Sequence, residues 1–293
     1  MAAEDPVRVY LIDGTFELFR CFHGAPRART EDGREVGAAR GFLFTMIKLL
    51  RRPDAGHVAV AFDAMAGRTR VDRENDASTL IRSQYLPATD VLRALGVVHW
   101  PILRAQADDA LATAAARFAP LSEVERVIIA TTDKDLLQCA GPKVEVWDRI
   151  RDRHTTMEEV QKRFGVRPAL LPDLFALVGD PSDGMPGIPK WGLKAAGAVL
   201  ARYGSIENIL LDAEQWDVPV RGAQGLVASL RTHHREAVLM RDLLRLRTDL
   251  LLPTTLDAVA WPGADRAALT QLTAWMGGSE MLEKIPRWRS DPS

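Results

Sequence analysis

The sequence predicts an α/β fold with a mostly parallel sheet, followed by a second part that is almost wholly helical. Over the first half of the chain, short apolar runs alternate with segments of helical period, which is the pattern of βαβ units. Several of these runs end at an aspartate. After Met157 the strand patterns almost vanish. We therefore place a boundary at Gly165 and expect two domains, residues 1–165 and 166–293.

In the first part, apolar and β-branched runs that stop at turn residues predict strands. These are Val7–Ile12, His57–Phe62, Val97–Trp100, Val127–Thr131 and Val144–Trp147. The intervening helices are predicted at a segment containing Leu18 and Phe22, and at Ala38–Leu50, Thr79–Leu95 and Asp108–Phe118. Gly96 follows one of them in the position where a left-handed glycine commonly ends a helix. The polar, unpatterned segment Met65–Ser78 predicts a mobile loop.

In the second part, apolar residues recur at helical spacing. The predicted helices are Thr156–Phe164, Ala169–Val178, Leu193–Tyr203, Ile206–Leu211 and Arg231–Leu246.

Composition limits the classes of function. The 293 residues are 26% charged with a formal net charge of −1, so any binding of nucleic acid must come from local patches. The two cysteines, Cys21 and Cys139, form neither a disulfide framework nor a zinc-binding spacing. No apolar run approaches a membrane span. We therefore expect a cytoplasmic protein with no membrane partner. We also expect a monomer.

Carboxylates follow three predicted strands and open one predicted helix. They are Asp13, Asp63, the pair Asp133 and Asp135, and the pair Asp108 and Asp109. The carboxyl ends of parallel strands share one edge of a sheet, where ligands bind. Clustered carboxylates repel one another unless cations neutralise them, and oxygen-only ligands suit Mg²⁺ or Mn²⁺ better than zinc. The alternative is structural, because aspartate also caps helices and turns.

The stretch Leu177–Leu200 combines two kinds of chemistry. Asp180 and Asp183 stand in a loop too rich in glycine and proline for a regular helix. The turn GIPKWG then opens into the helix predicted from Leu193, where free backbone N–H groups suit a phosphate. The candidate phosphate-binding residues are Gly187, Lys190, Gly192 and Lys194. The alternative is an ordinary surface loop before a helical hairpin.

Five motifs occur in the order and approximate spacing of the 5′–3′ exonuclease family. They are VYLIDG (Val9–Gly14), FD (Phe62–Asp63), ADD (Ala107–Asp109), TDKD (Thr132–Asp135) and GDPSDGMPG (Gly179–Gly187). From about Val7 to Leu252 the chain resembles the 5′-nuclease domain of bacterial DNA polymerase I and its flap-endonuclease relatives, in a stand-alone form. The resemblance implies a PIN-like nuclease core and a DNA-binding part with a helix–three-turn–helix, which is similar to a helix–hairpin–helix.

The resemblance also implies a function in DNA replication and repair. A member of this family is expected to cleave DNA, or primer RNA on DNA, near 5′ ends, nicks, flaps and junctions, with two or more Mg²⁺ or Mn²⁺ ions. One group of metal ligands matches Asp13, Asp63 and Asp108, with Asp109 in the same motif, and the other matches Asp133, Asp135, Asp180 and Asp183. Arg70 matches a basic residue beside the scissile phosphate, where a guanidinium offsets charge on the phosphoryl oxygens. A solvated loop arginine is the alternative for Arg70.

The sequence departs from the family pattern in two places. Gln106 stands where the family usually has glutamate, which predicts weaker binding of one metal ion. The segment between Arg70 and Ile81 is shorter than in the family, so it lacks basic residues of the arch over the active site. Two other functions stay open: a DNA-binding protein with weakened catalysis, and a PIN-type ribonuclease, against which the predicted duplex grip argues.

Overall fold

The computed structural model describes residues 6–63, 76–102, 105–181 and 184–290, except the side chains of residues 76–78. The chain packs into two compact units. The first unit holds the residues up to Thr131 and those from Thr248 onward, and the second holds Thr132–Arg247. The functional boundary at residue 165 stays a prediction.

The first unit contains a parallel sheet. Its strands are β1 (Val7–Asp13), β2 (His57–Asp63), β3 (Val98–Ile102) and β4 (Val124–Ala130), in the order β3-β2-β1-β4. All pairings among them are parallel. The side chains of Val9–Ile12 are fully buried, as expected for a strand covered on both faces. The register pairs Asp13 with Ala61 and Asp63 with Ile102, so the two aspartates end neighbouring strands at one edge.

The helices of the first unit follow the predicted order with one correction. They are α1 (Gly14–Gly24), α2 (Gly37–Leu50), α3 (Asp76–Ser83), α4 (Tyr85–Leu95) and α5 (Ala107–Phe118). The prediction of a single helix over Thr79–Leu95 is wrong, because the chain breaks at Gln84. Pro87 has no N–H to continue a helix from α3. The side-chain oxygen of Gln84 instead accepts from the N–H groups of Ala38 and Ala39 at the start of α2.

Of the mobile loop predicted at Met65–Ser78, the part up to position 75 lies outside the described residues. The last three residues of the predicted loop begin α3.

The second unit is mainly helical. It contains β5 (Val144–Asp148), β6 (Arg153–Thr155), α6 (Met157–Phe164), α7 (Leu171–Val178), β7 (Gly179–Asp180), β8 (Met185–Pro186), α8 (Leu193–Tyr203) and α9 (Ala223–Leu244). The pairs β5–β6 and β7–β8 are antiparallel. The helix predicted over Ile206–Leu211 is wrong, because only a 3₁₀ turn at Ile206–Asn208 forms. The N–H of Ile206 is bound by the buried carboxylate of Asp173. The predicted α/β fold with a helical second part is confirmed.

The C-terminal segment from Thr248 packs as part of the first unit and carries helices that the sequence pattern did not predict. These are α10 (Leu256–Val259), α11 (Arg266–Met276) and a 3₁₀ helix at Ser279–Lys284. The indole N–H of Trp261 donates to the carbonyl of Leu95 at 2.7 Å, and Arg117 donates to the carbonyl of Leu252 at 3.2 Å. Within the described ranges, no helix is both long and apolar enough to cross a bilayer.

Candidate active site

Asp13 ends β1 and is buried, with 6% of its surface exposed to solvent. One carboxylate oxygen caps α1 by accepting from the N–H of Phe16 at 2.9 Å. The other accepts from the hydroxyl of Thr131 at 2.9 Å. Helix N-termini stabilise negative charge, so two neutral donors and a helix dipole hold this carboxylate at the strand edge. Asp13 is therefore both a structural cap and a candidate metal ligand.

Asp63 connects the end of β2 to the start of α5. Its carboxylate accepts from the N–H of Ala107 at 2.7 Å, and its own N–H donates to the hydroxyl of Thr15 at 3.0 Å. These bonds bring Asp63 to the helix end that carries Asp108. The carboxyl end of β2 is therefore joined to the N-terminus of α5 by a hydrogen bond, and shared metal binding by Asp63 and Asp108 stays a prediction.

The paired aspartates at the start of α5 differ in environment. The carboxylate of Asp109 accepts from the N–H of Gln106 at 3.2 Å, which is half of a capping box. Asp108 is partly exposed in the first turn of the same helix. Gln106 is the exposed N-cap residue of α5. Capping was one of the structural alternatives for this aspartate pair, and Asp109 has that role.

In the second unit, Asp133 and Asp135 form a tight turn. The carboxylate of Asp133 accepts from the N–H of Asp135 at 2.8 Å, and Asp135 begins a 3₁₀ helix that ends at Cys139. Lys134, between them, makes an ion pair with the carboxylate of Asp180. Asp180 is 3% exposed. A buried carboxylate requires a cation or several donors, and here a lysine supplies the positive charge.

Two glycines fix the position of Asp180. Gly179 adopts φ +85°, and a Cβ on it would overlap the backbone of Gly187. A Cβ on Gly187 would in turn overlap the carbonyl of Val178. Gly187 therefore allows the backbone to pack against backbone, which is a different role from the predicted ligand contact. Binding of DNA by Gly187 stays a prediction.

The start of α8 is more open. Gly192 is its N-cap residue, and a Cβ placed there would meet nothing within 4 Å. Lys194 is exposed in the first turn. Lys190 is exposed with φ +72°, a conformation that few residues other than glycine adopt. An open helix N-terminus with two exposed lysines suits a phosphate.

Arg70 and Asp183 lie outside the described residues. Within the part of the chain that the structure describes, no three His, Cys, Asp or Glu side chains are grouped closely enough to hold a metal ion. The described aspartates are instead engaged by helix N–H groups, hydroxyls and a lysine.

Three partners of these carboxylates are not among the residues predicted from the sequence pattern. They are Thr15, Thr131 and Lys134. Thr131 follows β4, and Lys134 lies inside the TDKD motif. Attention to every polar residue at a strand end would have found both.

Comparisons with known proteins identify the family of this chain. A family model for the 5′-3′ exonuclease N-terminal resolvase-like domain matches residues 8–165, and one for the 5′-3′ exonuclease C-terminal SAM fold matches residues 166–267. DNA polymerase I of Rhizobium leguminosarum is 35% identical over 86% of this chain and 26% of its own length. The 5′-3′ exonuclease of Aquifex aeolicus is 34% identical over 71% of this chain and 74% of its own length.

A solved structure has a similar fold at lower identity. It is bacteriophage T5 flap endonuclease in a pseudo-enzyme–product complex with DNA and metal ions. The TM-score is 0.63 at 19% identity, and the match covers 96% of this chain and 100% of that one.

The parallel α/β core with aspartates at its strand ends, the helical second part and the two family models together define the class of this protein as a 5′ nuclease. The family models match 158 and 102 residues, which together cover most of the chain. The chain belongs to the 5′–3′ exonuclease family, whose members are phosphodiester hydrolases. It spans 26% to 32% of the length of the DNA polymerase I relatives, so the activities of those whole proteins do not carry over to it.

Proposed function

We propose that this chain is a divalent-metal-dependent 5′–3′ exonuclease and structure-specific flap endonuclease. Its substrate is DNA, or primer RNA on DNA, cleaved near a 5′ end, nick, flap or junction. The observation that carries this proposal is the placement of aspartates at one edge of the sheet in the first unit. There Asp13 and Asp63 end neighbouring parallel strands, and Asp63 is bound to the helix that presents Asp108.

The donor set fits Mg²⁺ or Mn²⁺ because every candidate ligand is a carboxylate. The ion pair of Lys134 with Asp180 supports this fit, since a cation already stands at one predicted ligand. One ion is assigned to Asp13, Asp63 and Asp108, and another to Asp133, Asp135, Asp180 and Asp183. Bound ions would polarise the scissile phosphate and lower the pKa of the attacking water. The T5 neighbour, which contains metal ions, is consistent with such a site.

The residues of this chain have separate roles in the proposal. The caps and hydroxyls around Asp13 and Asp63 hold these carboxylates in one orientation, which lowers the entropic cost of forming the site. Arg70 is assigned to the scissile phosphate. Gly192, Lys190 and Lys194 would bind backbone phosphates of duplex DNA through the open start of α8. The DNA in the T5 complex supports the binding of DNA in general.

The test is cleavage of a 5′-labelled flap duplex with Mg²⁺ or Mn²⁺, with an EDTA control. We expect products near the junction with either metal and none with EDTA. A parallel assay on an RNA–DNA hybrid decides whether primer RNA is a substrate. Metal-independent cleavage, or no cleavage of any 5′-ended duplex, would contradict the proposal.

A second candidate is a DNA-binding protein with weakened catalysis. The observation that favours it is Gln106, an exposed amide at the N-cap of α5 where the family usually has glutamate. In that case the flap duplex binds but is not cut at any Mg²⁺ concentration. Retention of the other predicted ligands favours the active enzyme.

A further inference from the structure

Lys134 and Asp180 form an ion pair within the second unit. The side chain of Asp180 is 4% exposed, whereas that of Lys134 is 25% exposed. The backbone of Asp180 is fixed by pairing with Met185 and by the neighbouring left-handed Gly179. The carboxylate is therefore the fixed and buried partner, and the lysine side chain is the more exposed partner of the pair.

This asymmetry has an energetic consequence. A buried carboxylate that loses its cation carries a large desolvation penalty. Lysine is suited to a removable positive charge, because its ammonium is a compact, strongly hydrated point charge on a flexible stem. Lys134 can thus leave Asp180 for water, provided that another cation takes its place.

From this geometry we infer that Lys134 is the resident counter-ion of Asp180, and that a divalent cation displaces it on binding. The inference rests on the proposed function, in which Asp180 is a metal ligand. An ammonium in hydrogen-bonding contact with a carboxylate lies a few ångströms from any ion bound by the same group. Repulsion between the two charges at that distance is strong in a partly buried site. Lysine contact and metal binding therefore compete.

The role assigned to Lys134 is positioning and not catalytic. The lysine offers Asp180 a positive partner and holds it in place when metal is absent, at the cost of weaker metal affinity. Removing its charge should change two measurable quantities in opposite directions. The metal-free protein should become less stable, and its affinity for the metal should increase.

The test uses Lys134→Met, which keeps most of the stem and removes the charge. The matched control is Lys162→Met, which makes the same change of charge at an exposed position of α6. Mn²⁺ binding is measured without DNA by titration calorimetry, and thermal unfolding is measured in EDTA and in Mn²⁺. For Lys134→Met we expect an EDTA melting temperature lower by about 3 °C, Mn²⁺ affinity higher by about tenfold, and a larger Mn²⁺-induced stabilisation than in wild type.

Lys134→Gln and Asp180→Asn complete the design. The glutamine variant keeps a hydrogen-bond donor and provides a second measurement if the methionine variant folds poorly. Unchanged or weaker Mn²⁺ affinity in both Lys134 variants overturns the inference, because the lysine would then remain in the metal-bound site as a structural partner. If Asp180→Asn also leaves Mn²⁺ binding unchanged, the metal site of the proposed function fails with it. If Asp180→Asn binds Mn²⁺ more weakly while the Lys134 variants keep the wild-type Mn²⁺ affinity, only the role of Lys134 is rejected.

Discussion

The two units hold their buried aspartates by different means. In the first unit, Asp13 is bound by the N–H of Phe16 and the hydroxyl of Thr131, which carry no net charge. In the second, Asp180 is bound by the ammonium of Lys134. Neutral donors leave a carboxylate its full negative charge, whereas an ammonium cancels it. If both aspartates bind metal as proposed, the carboxylate of Asp180 has to exchange the ammonium of Lys134 for the ion, whereas the N–H of Phe16 and the hydroxyl of Thr131 can stay bound to Asp13.

The largest expected effect is loss of cleavage in Asp180→Asn or Asp133→Asn. The proposed metal ions supply several kcal/mol of transition-state stabilisation, so the rate should fall by about three orders of magnitude. DNA affinity should change little, because phosphate binding is assigned to α8. Single-turnover rates and equilibrium binding to the same flap duplex measure the two quantities.

The control for this comparison is Asp257→Asn, which removes an exposed carboxylate from α10. It should cleave at the wild-type rate. Near-normal Mg²⁺-dependent turnover in Asp180→Asn would remove this residue from the site.

The next effect separates the structural and chemical roles of Asp13. Asp13→Ala should lower the free energy of unfolding by about 2 kcal/mol, since it loses a helix cap and the partner of a buried hydroxyl. Asp13→Asn keeps an acceptor for the N–H of Phe16 and should cost less than half as much. Both variants should lose cleavage. Urea denaturation in EDTA compares their stabilities, and equal destabilisation by the two substitutions would show that the cap contributes little.

Much of the first unit could be predicted, because buried parallel strands have a simple signature. Runs such as Val9–Ile12 are apolar at every position and end at an aspartate. The break between α3 and α4 had a local signal in Pro87, which the helical periodicity obscured. The packing of residues from Thr248 onward had no local signal, since contacts such as Trp261 with Leu95 join distant positions.

The candidate site was predictable to a similar degree. Strand-end aspartates follow from the alternation of strands and helices, so their positions could be inferred. Their partners could not, because a hydrogen bond from Thr131 or an ion pair from Lys134 depends on side-chain geometry in the folded chain. The same limit applies to Gly187, whose close packing on Val178 appears in the sequence only as a glycine.

A third prediction concerns pH and compares Asp54 in the first unit with Asp173 in the second. Burial opposes ionisation of Asp54, but hydrogen bonds from Tyr10, Arg52 and Arg8 outweigh it and lower the pKa of Asp54. Burial raises the pKa of Asp173, against a hydrogen bond from the N–H of Ile206 and the charge of Arg241. The two groups should therefore affect stability with opposite dependence on pH.

The stabilising contribution of Asp54 is present above its unfolded pKa and is lost as pH falls through its lower folded value. That of Asp173 is present below its unfolded pKa and is lost as pH rises through its higher folded value. Asp54→Asn should thus destabilise the protein more at about pH 6 than at about pH 3. Asp173→Asn should destabilise it less at about pH 6 than at about pH 3. Denaturation at both pH values measures the differences from wild type. The same sign for both variants would contradict the assignment.

A smaller effect is expected at the proposed DNA grip. Lys194→Ala removes one exposed charge beside the N-terminus of α8. The slope of log affinity against log salt should shrink by about 0.9, the value for one phosphate contact on duplex DNA. Lys162→Ala is the matched control and should keep the wild-type slope. If the Lys194 variant also keeps it, the duplex is bound at another surface.

The smallest effect is expected from Gln106→Glu. The side chain is exposed at the N-cap of α5, where a negative charge interacts favourably with the helix dipole, so stability should change by less than about 1 kcal/mol. A carboxylate beside Asp108 and Asp109 should attract a divalent cation more strongly than an amide does. The Mg²⁺ concentration for half-maximal cleavage should therefore decrease. The competing effect is repulsion from the neighbouring carboxylates of Asp108 and Asp109, and it would move the midpoint upward. A Mg²⁺ titration of cleavage by wild type and variant decides between them, with Gln224→Glu, an exposed change of the same charge in α9, as the control.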